Sequence, residues 1–259
     1  MRYFFPVLQV ELFKIRKSKV IWITVAAFTL VPFIAGFFMF ALKYPEFAES
    51  SGLLGAKSQI AGEASWPAYL NLFAQMIAVG GILIFGFVTS WLFGREYTDG
   101  TVKDLLALPY SRLVIVLAKF IAMCITSLLM TLYIVLLGLV FGWLINLPQW
   151  SHIVFTDGMR VLLVVTILTI VLSTPIAFFA SFGRGFLSPL GFTILLLVLS
   201  QIIAIAGFGE YFPWSIPAIY SGVVEAGMSL DWIHLSIILI TSSIGLFSTL
   251  YWWLFADQH

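Results

Sequence analysis

Charge is what this sequence has least of. Lys, Arg, Asp and Glu make up 10% of its 259 residues, where an ordinary soluble domain carries about a quarter. That excludes a globular fold with a charged, water-facing shell, and the 61% apolar content with mean hydropathy +1.07 points instead to an integral membrane protein. Cysteine is almost as scarce: the lone Cys124, inside an apolar run, excludes an intrachain disulfide and leaves the redox compartment open. His152, His234 and His259 are far apart and come with no HExxH, no paired cysteines and no close set of carboxylates, so neither a zinc site nor any other metal site is expected. There is no GxSxG elbow. There is also no GxxxxGK[ST] loop, nor a single Gly-Lys pair, so the chain does not cradle nucleotide phosphates in the usual way. The net charge of +1 singles out no partner, and no nucleic acid is expected.

What is present is a series of long apolar runs. A hydrocarbon core roughly 30 Å thick takes about 20 helical residues per crossing. The runs near 20–42, 70–93, 113–147, 159–181, 187–206 and 233–255 supply six crossings and leave no room for a separate soluble domain. The expectation is one all-α membrane domain over residues 1–259. The run from Val20 to Leu42 is too long for the apolar part of a secretory signal, and reads as an uncleaved first span.

Within the spans, Pro32 predicts a kink in the first. Pro175 predicts another in the fourth, where the hydroxyls of Ser173 and Thr174 can take up freed carbonyls. Gly80, Gly81 and Gly86 allow close helix approach, and Gly138 with Gly142 form a GxxxG, a candidate packing face for which a contact between two copies is one reading. Lys119, about two turns into the third run, is expected to snorkel back to the headgroups. Gln201 reads either as hydrogen-bonded to a neighbouring helix or, with Pro175, as lining a cargo path.

Between the runs lie four connecting features. Residues 1–19 predict an interfacial helix with Phe5, Leu8, Leu12 and Ile15 on one face, leaving Val7, Val10 and Phe13 off it. Lys14, Arg16, Lys17 and Lys19 crowd the end nearest the first span; a merely basic, topology-setting tail remains the alternative. Residues 43–69 read as an exposed loop with a short helix. Residues 207–232 hold Pro213, Trp214 and Pro217 but no Lys or Arg, and read as outer re-entrant or interfacial helices or as an ordinary folded loop. The clustering of Lys and Arg places both termini and the 94–112 loop in the cytoplasm, leaving Lys43, Lys57 and Arg160 outside.

That 94–112 loop is the only internal island of dense charge. Thr101 and Asp104 have capping-box spacing and Pro109 ends what they start, predicting a helix of about two turns. Val102, Leu105 and Leu106 then form an apolar ridge projecting at the membrane edge, and Ser111 caps the third span. Pattern alone leaves two readings open: a lever for an aqueous partner, or a connector lying on headgroups.

The residues Arg95-Glu96-Tyr97, Gly100-Thr101, Leu105-Leu106, Pro109-Tyr110-Ser111-Arg112 and Lys119 resemble the loop after the second span of ATP-binding-cassette permeases of the type-2 class, in particular bacterial permeases related to bacitracin resistance and lantibiotic immunity. Glu11-Leu12-Phe13-Lys14-Ile15-Arg16-Lys17-Ser18 is similar to that family's elbow helix. The resemblance implies that the loop carries a coupling helix seated in a separate ATPase. Glu96, Gly100 and Thr101 would shape its start, with Val102 on its apolar face and Leu105, Leu106 and Arg112 as contacts or anchors. It further implies two permeases, identical or related, with two ATPases that hold ATP and Mg, in a bacterial cell membrane. The chain itself would be no enzyme but half of an exporter of an antimicrobial peptide, lipid-linked antibiotic or other amphipathic cargo. Two readings of other classes stay beside it: a membrane enzyme acting on a lipid phosphate, and a sensor subunit that does not transport.

Overall fold

In the computed structural model the described residues are 3–44, 46, 63–222 and 229–256. The short helix expected within 43–69 falls largely outside them, as do Arg2, Lys57, Glu225 and His259. Every regular element described is helical. An N-terminal helix α1 (Phe4–Lys17) is followed by a first span built from α2 (Lys19–Phe28) and α3 (Leu30–Lys43). The second span is α4 (Trp66–Thr98); the short helix α5 (Val102–Leu106) separates it from the third, α6 (Arg112–Leu144). The fourth is made of α7 (His152–Val171) and α8 (Thr174–Phe182), the fifth is α9 (Leu187–Ile205), and the last is α11 (Trp232–Phe255), preceded by the five-residue α10 (Ile216–Tyr220). These make six helices, or broken helix pairs, long and apolar enough to cross a membrane.

The boundaries differ from the apolar runs where capping chemistry extends a helix past its greasy part. α4 starts at Trp66 rather than near 70, because Ser65 accepts a hydrogen bond from the Ala68 amide and Pro67 fits the first turn. It ends at Thr98 rather than near 93, for a reason given below. The fourth span starts at His152 rather than near 159, capped by Ser151, and the third ends at Leu144 rather than near 147. α4 and α6 have 33 residues each, about 50 Å of helix against roughly 30 Å of hydrocarbon. Their excess length carries charged turns clear of the bilayer core.

Both proline breaks lie just ahead of the proline, where its ring meets the carbonyl four residues back. The first span is interrupted at Thr29, before Pro32, and Thr29 donates its hydroxyl to the Val25 carbonyl at 2.8 Å. In the fourth, Pro175 cannot donate to Val171, and the Thr174 hydroxyl does so instead at 2.9 Å while Ser173 serves Thr169 at 3.0 Å. Pro175 is buried against the last span, where Gly245 brings the two backbones together.

α4 is the central helix, packed against α6, α7, α8 and α9. The GxxxG is spent inside the chain: Gly138 receives the Phe73 ring and Gly142 the Trp66 indole, and Tyr69 donates to the Gly138 carbonyl at 2.9 Å. The two glycines thus serve as a packing face within one chain. Among its described residues the 207–232 segment forms a 3-10 turn (Gly209–Tyr211) and α10, with Ile216, Ala218 and Ile219 buried against the bundle.

A side chain at Gly245 would set its Cβ 2.4 Å from the Pro175 nitrogen and 2.7 Å from its Cα, both immovable backbone. Gly245→Val is expected to cost roughly 1–3 kcal/mol, read as a lower unfolding temperature in detergent. Gly80→Ala, with nothing within 4 Å of the added carbon, should leave that temperature unchanged; equal behaviour of the two variants would contradict this packing.

Candidate functional site

The two ends of the bundle differ sharply in charge. Alternation of the spans brings α1, residues 94–112, the 183–186 turn and the C-terminal turn of α11 to one end, with Lys14, Arg16, Lys17, Lys19, Arg95, Lys103, Arg112, Lys119 and Arg184. Lys43, which donates to the Ile145 and Asn146 carbonyls, and Arg160 are the basic residues at the other end among the described residues.

At the charged end α4 stops through backbone chemistry. Gly100 has φ +70°, and the amides of Thr101 and Gly100 donate to the carbonyls of Glu96 (2.9 Å) and Tyr97 (3.3 Å). This is a Schellman cap, in which a glycine takes the left-handed position that L side chains resist. Gly100 thus closes the span at the point where the loop begins. Glu96, placed by the resemblance at the start of the coupling segment, belongs to the last turns of α4 and is buried.

Glu96 is buried because it is paired. Lys119 of α6, fully buried, directs its ammonium protons at Glu96 Oε1 (2.8 Å), the Leu92 carbonyl (2.8 Å) and Glu11 Oε2 (3.2 Å), which uses its whole donor capacity. Lys14 bridges the same carboxylates from the rim, 2.6 Å from Glu11 Oε1 and 3.1 Å from Glu96 Oε1. Two ammonium groups and two carboxylates therefore cancel inside the protein and join α1, α4 and α6 at one point. Lys119 does not snorkel to the headgroups; an internal counter-charge replaces water.

The same pairing corrects the face assigned to α1. Its inward stripe is Val7, Glu11 and Ile15 with Phe4, Leu8 and Leu12 alongside, while Phe5 is 74% exposed. A glutamate occupies the middle of the packing face. Arg16 and Lys17 remain exposed, the Arg16 carbonyl accepting from the Trp22 indole at 2.9 Å.

The loop built on this base is short. α5 spans five residues, not two full turns, and the Thr101 side chain makes no capping bond; only its carbonyl accepts, from the Leu105 amide at 3.0 Å. The apolar ridge points inward: Val102 is buried and Leu105 and Leu106 pack partly buried against the core. What faces solvent is Lys103, Asp104, Ala107, Leu108 and Pro109. Beyond it Ser111 caps α6, accepting from the Val114 amide, and Arg112 reaches across to the Trp253 and Leu254 carbonyls at 3.3 and 3.5 Å, tying α6 to the C-terminal end of α11. The Trp253 indole in turn donates to Ser181 at 2.9 Å, and Gly94 lies against the backbone of Gly185. All the spans that end here are linked around the loop except the fifth, which follows directly from the 183–186 turn.

The remaining candidates are scattered. Gln201 is half-buried on α9, and Pro175 is enclosed by Gly245 and so does not line an open path through this chain. At the opposite end a cavity of about 350 Å³ is lined by Asn71, Asp157 and Ser221 among others. Glu11 and Lys119 as partners, and the anchoring of Trp253 on Ser181, were not legible as a site. The available signal was a lone acid in an apolar stripe and a lone base in an apolar run.

Lys119→Met strands two buried carboxylates with only Lys14 beside them, and should cost roughly 3–5 kcal/mol, read as a large drop in unfolding temperature in detergent. Adding Glu11→Gln and Glu96→Gln should restore most of it. A single Lys119→Met variant as stable as the parent would show that the pairing carries no weight.

Comparison with known proteins agrees with this layout. The model of the family described as ABC-2 family transporter protein matches residues 7–200, from the first turn of α1 into α9. The bacitracin transport permease protein BCRB of Bacillus licheniformis is 28% identical over 190 residues, which cover 73% of this chain and 90% of that protein. With six spanning helices and a family match over most of its length, the chain belongs to the ABC-2 transporter family, as a multi-pass membrane permease similar to the bacitracin-resistance permeases.

Proposed function

We propose that this permease is the membrane half of an ATP-driven exporter, and that residues 99–110 take the thrust of a partner ATPase. Membership of the family implies partnership with ABC ATPase subunits and speaks for a transporter subunit rather than an enzyme. The observation that carries the finer reading is the clamped loop. Lys103 and Asp104 are exposed on a five-residue helix, and Ala107, Leu108 and Pro109 on the turn after it, while Val102 is buried and Leu105 and Leu106 pack half-buried against the bundle; the Glu11–Lys14–Glu96–Lys119 cluster joins α4 and α6, the helices on either side. A partner pressing on the exposed side moves the ends of α4 and α6 together, since neither the Schellman turn nor the ion cluster gives way first.

In this reading α1 is the elbow helix, Glu96, Gly100 and Thr101 shape the root of the loop, and Arg112 is its anchor. The basic end, with both termini, faces the cytoplasm of a bacterial cell, in keeping with the bias of Lys and Arg toward that end. ATP and Mg are held by the ATPase, and the working complex contains two permeases, identical or related, and two ATPases. Cargo is amphipathic, a peptide or lipid-linked antibiotic, and moves outward; the support is the relative whose printed name makes it a bacitracin transport permease.

The test is co-purification with the ATPase. Lys103→Glu combined with Leu108→Asp changes only exposed side chains, and should weaken retention about tenfold or more and abolish cargo-stimulated ATP hydrolysis, while Arg160→Glu at the opposite end changes neither. Full retention and full stimulation in a double variant with the parental unfolding temperature would remove the coupling role from this loop.

A further inference from the structure

A second feature of the charged end lies beside the coupling loop and shares only Asp99 with residues 99–110. Between α1 and the end of α4 runs an open groove of about 620 Å³, closed at one side by Phe186. It sits at the level of Ser18, where the N-terminal helix gives way to the first span, and of Arg95, one turn before α4 ends. That is where the apolar spans stop, hence headgroup depth.

Three of its four charged lining residues are cationic. Arg95 lies over the Trp91 indole, 4.6 Å from guanidinium carbon to ring centre. Its one carboxylate neighbour, Asp99, is 3.8 Å away and itself 54% exposed, a loose contact that leaves most of the guanidinium donors unused. Lys17 is exposed, 5.7 Å over the Phe13 ring. Lys14 forms the inner wall, and its contacts to Glu11 and Glu96 take two of its three ammonium protons. With Lys14 balanced inside the ion cluster, Lys17 and Arg95 remain as two cations against one carboxylate, Asp99, in the groove, above walls of Phe13, Val20 and Trp91.

We propose that this groove binds an anionic phospholipid, with the headgroup phosphate between Lys17 and Arg95 and the first acyl carbons along Trp91 and Val20. The charge balance selects against a zwitterionic headgroup, whose quaternary ammonium would meet the same cations. The apolar walls select against a free anion, which has no use for them. Asp99 competes with the phosphate for Arg95. Because Lys17 stands on α1 and Arg95 on α4, the bound phosphate also steadies the joint between these helices. The site does not depend on the coupling reading, and it fails or stands separately from it.

The test uses the full chain purified in a neutral detergent, with binding of phosphatidylglycerol, phosphatidylcholine and inorganic phosphate followed by native mass spectrometry and by the shift in unfolding temperature. Phosphatidylglycerol should be retained and stabilising, and the other two should not. A cation near an anionic headgroup contributes about a fivefold gain in affinity, so Lys17→Gln with Arg95→Gln should weaken phosphatidylglycerol binding about thirtyfold. Asp99→Asn should strengthen it, an effect no folding defect produces, and Arg160→Gln at the opposite end should leave it unchanged. Stabilisation by inorganic phosphate alone, equal loss in Arg160→Gln, or unchanged or weaker binding in Asp99→Asn would each overturn the proposal.

Discussion

A lysine ammonium sealed inside a membrane protein is sustained only by what surrounds it. Lys119 has no exposed surface, and its three protons are met by Glu96, Glu11 and the Leu92 carbonyl. Desolvating such groups costs several kcal/mol per ion, so the arrangement persists only with every partner in place. That requirement fixes where α1 lies, how far α4 continues past the apolar core, and how α6 faces both. The remaining contacts at that end, Arg112 on the α11 carbonyls and Gly94 on Gly185, extend the tie to the other spans.

The loop between α4 and α6 inherits its character from this base. A five-residue helix has little stability of its own, and here Val102 is buried while Leu105 and Leu106 pack half-buried against the core. Stiffness comes from the Schellman turn at Gly100, the Ser111 cap and the paired charges beneath. The exposed remainder is small and mixed, charged at Lys103 and Asp104 and apolar at Leu108.

The spans were legible because hydrophobic length is a property of contiguous residues. So was the relief of the Pro175 break by Thr174, which rests on neighbours in sequence. Glu11 and Lys119 were not, because reading a face by its apolar residues assumes that charge points to water. At Glu11 the stripe was shifted onto Phe5 for that reason, and Lys119 was sent to the headgroups. The partners lie 108 and 23 residues from Lys119 along the chain, and no spacing rule links them. The end of α4 differs for another reason: the apolar run stops at Phe93, but Arg95 and Asp99 at helical spacing carry the helix on until Gly100 ends it after Thr98.

The central claim is that α1 and the loop move as one body when nucleotide is turned over. It is met most directly by the distance between spin labels at Arg16 and Lys103, in a Cys124→Ser background, within the assembled complex before and after ATP is added. The account predicts one narrow distribution that nucleotide leaves in place, broadened once Lys119 is replaced by methionine. A distance that shifts with nucleotide in the otherwise unaltered protein would mean that the ion cluster yields during the cycle, and the rigid joint would be contradicted.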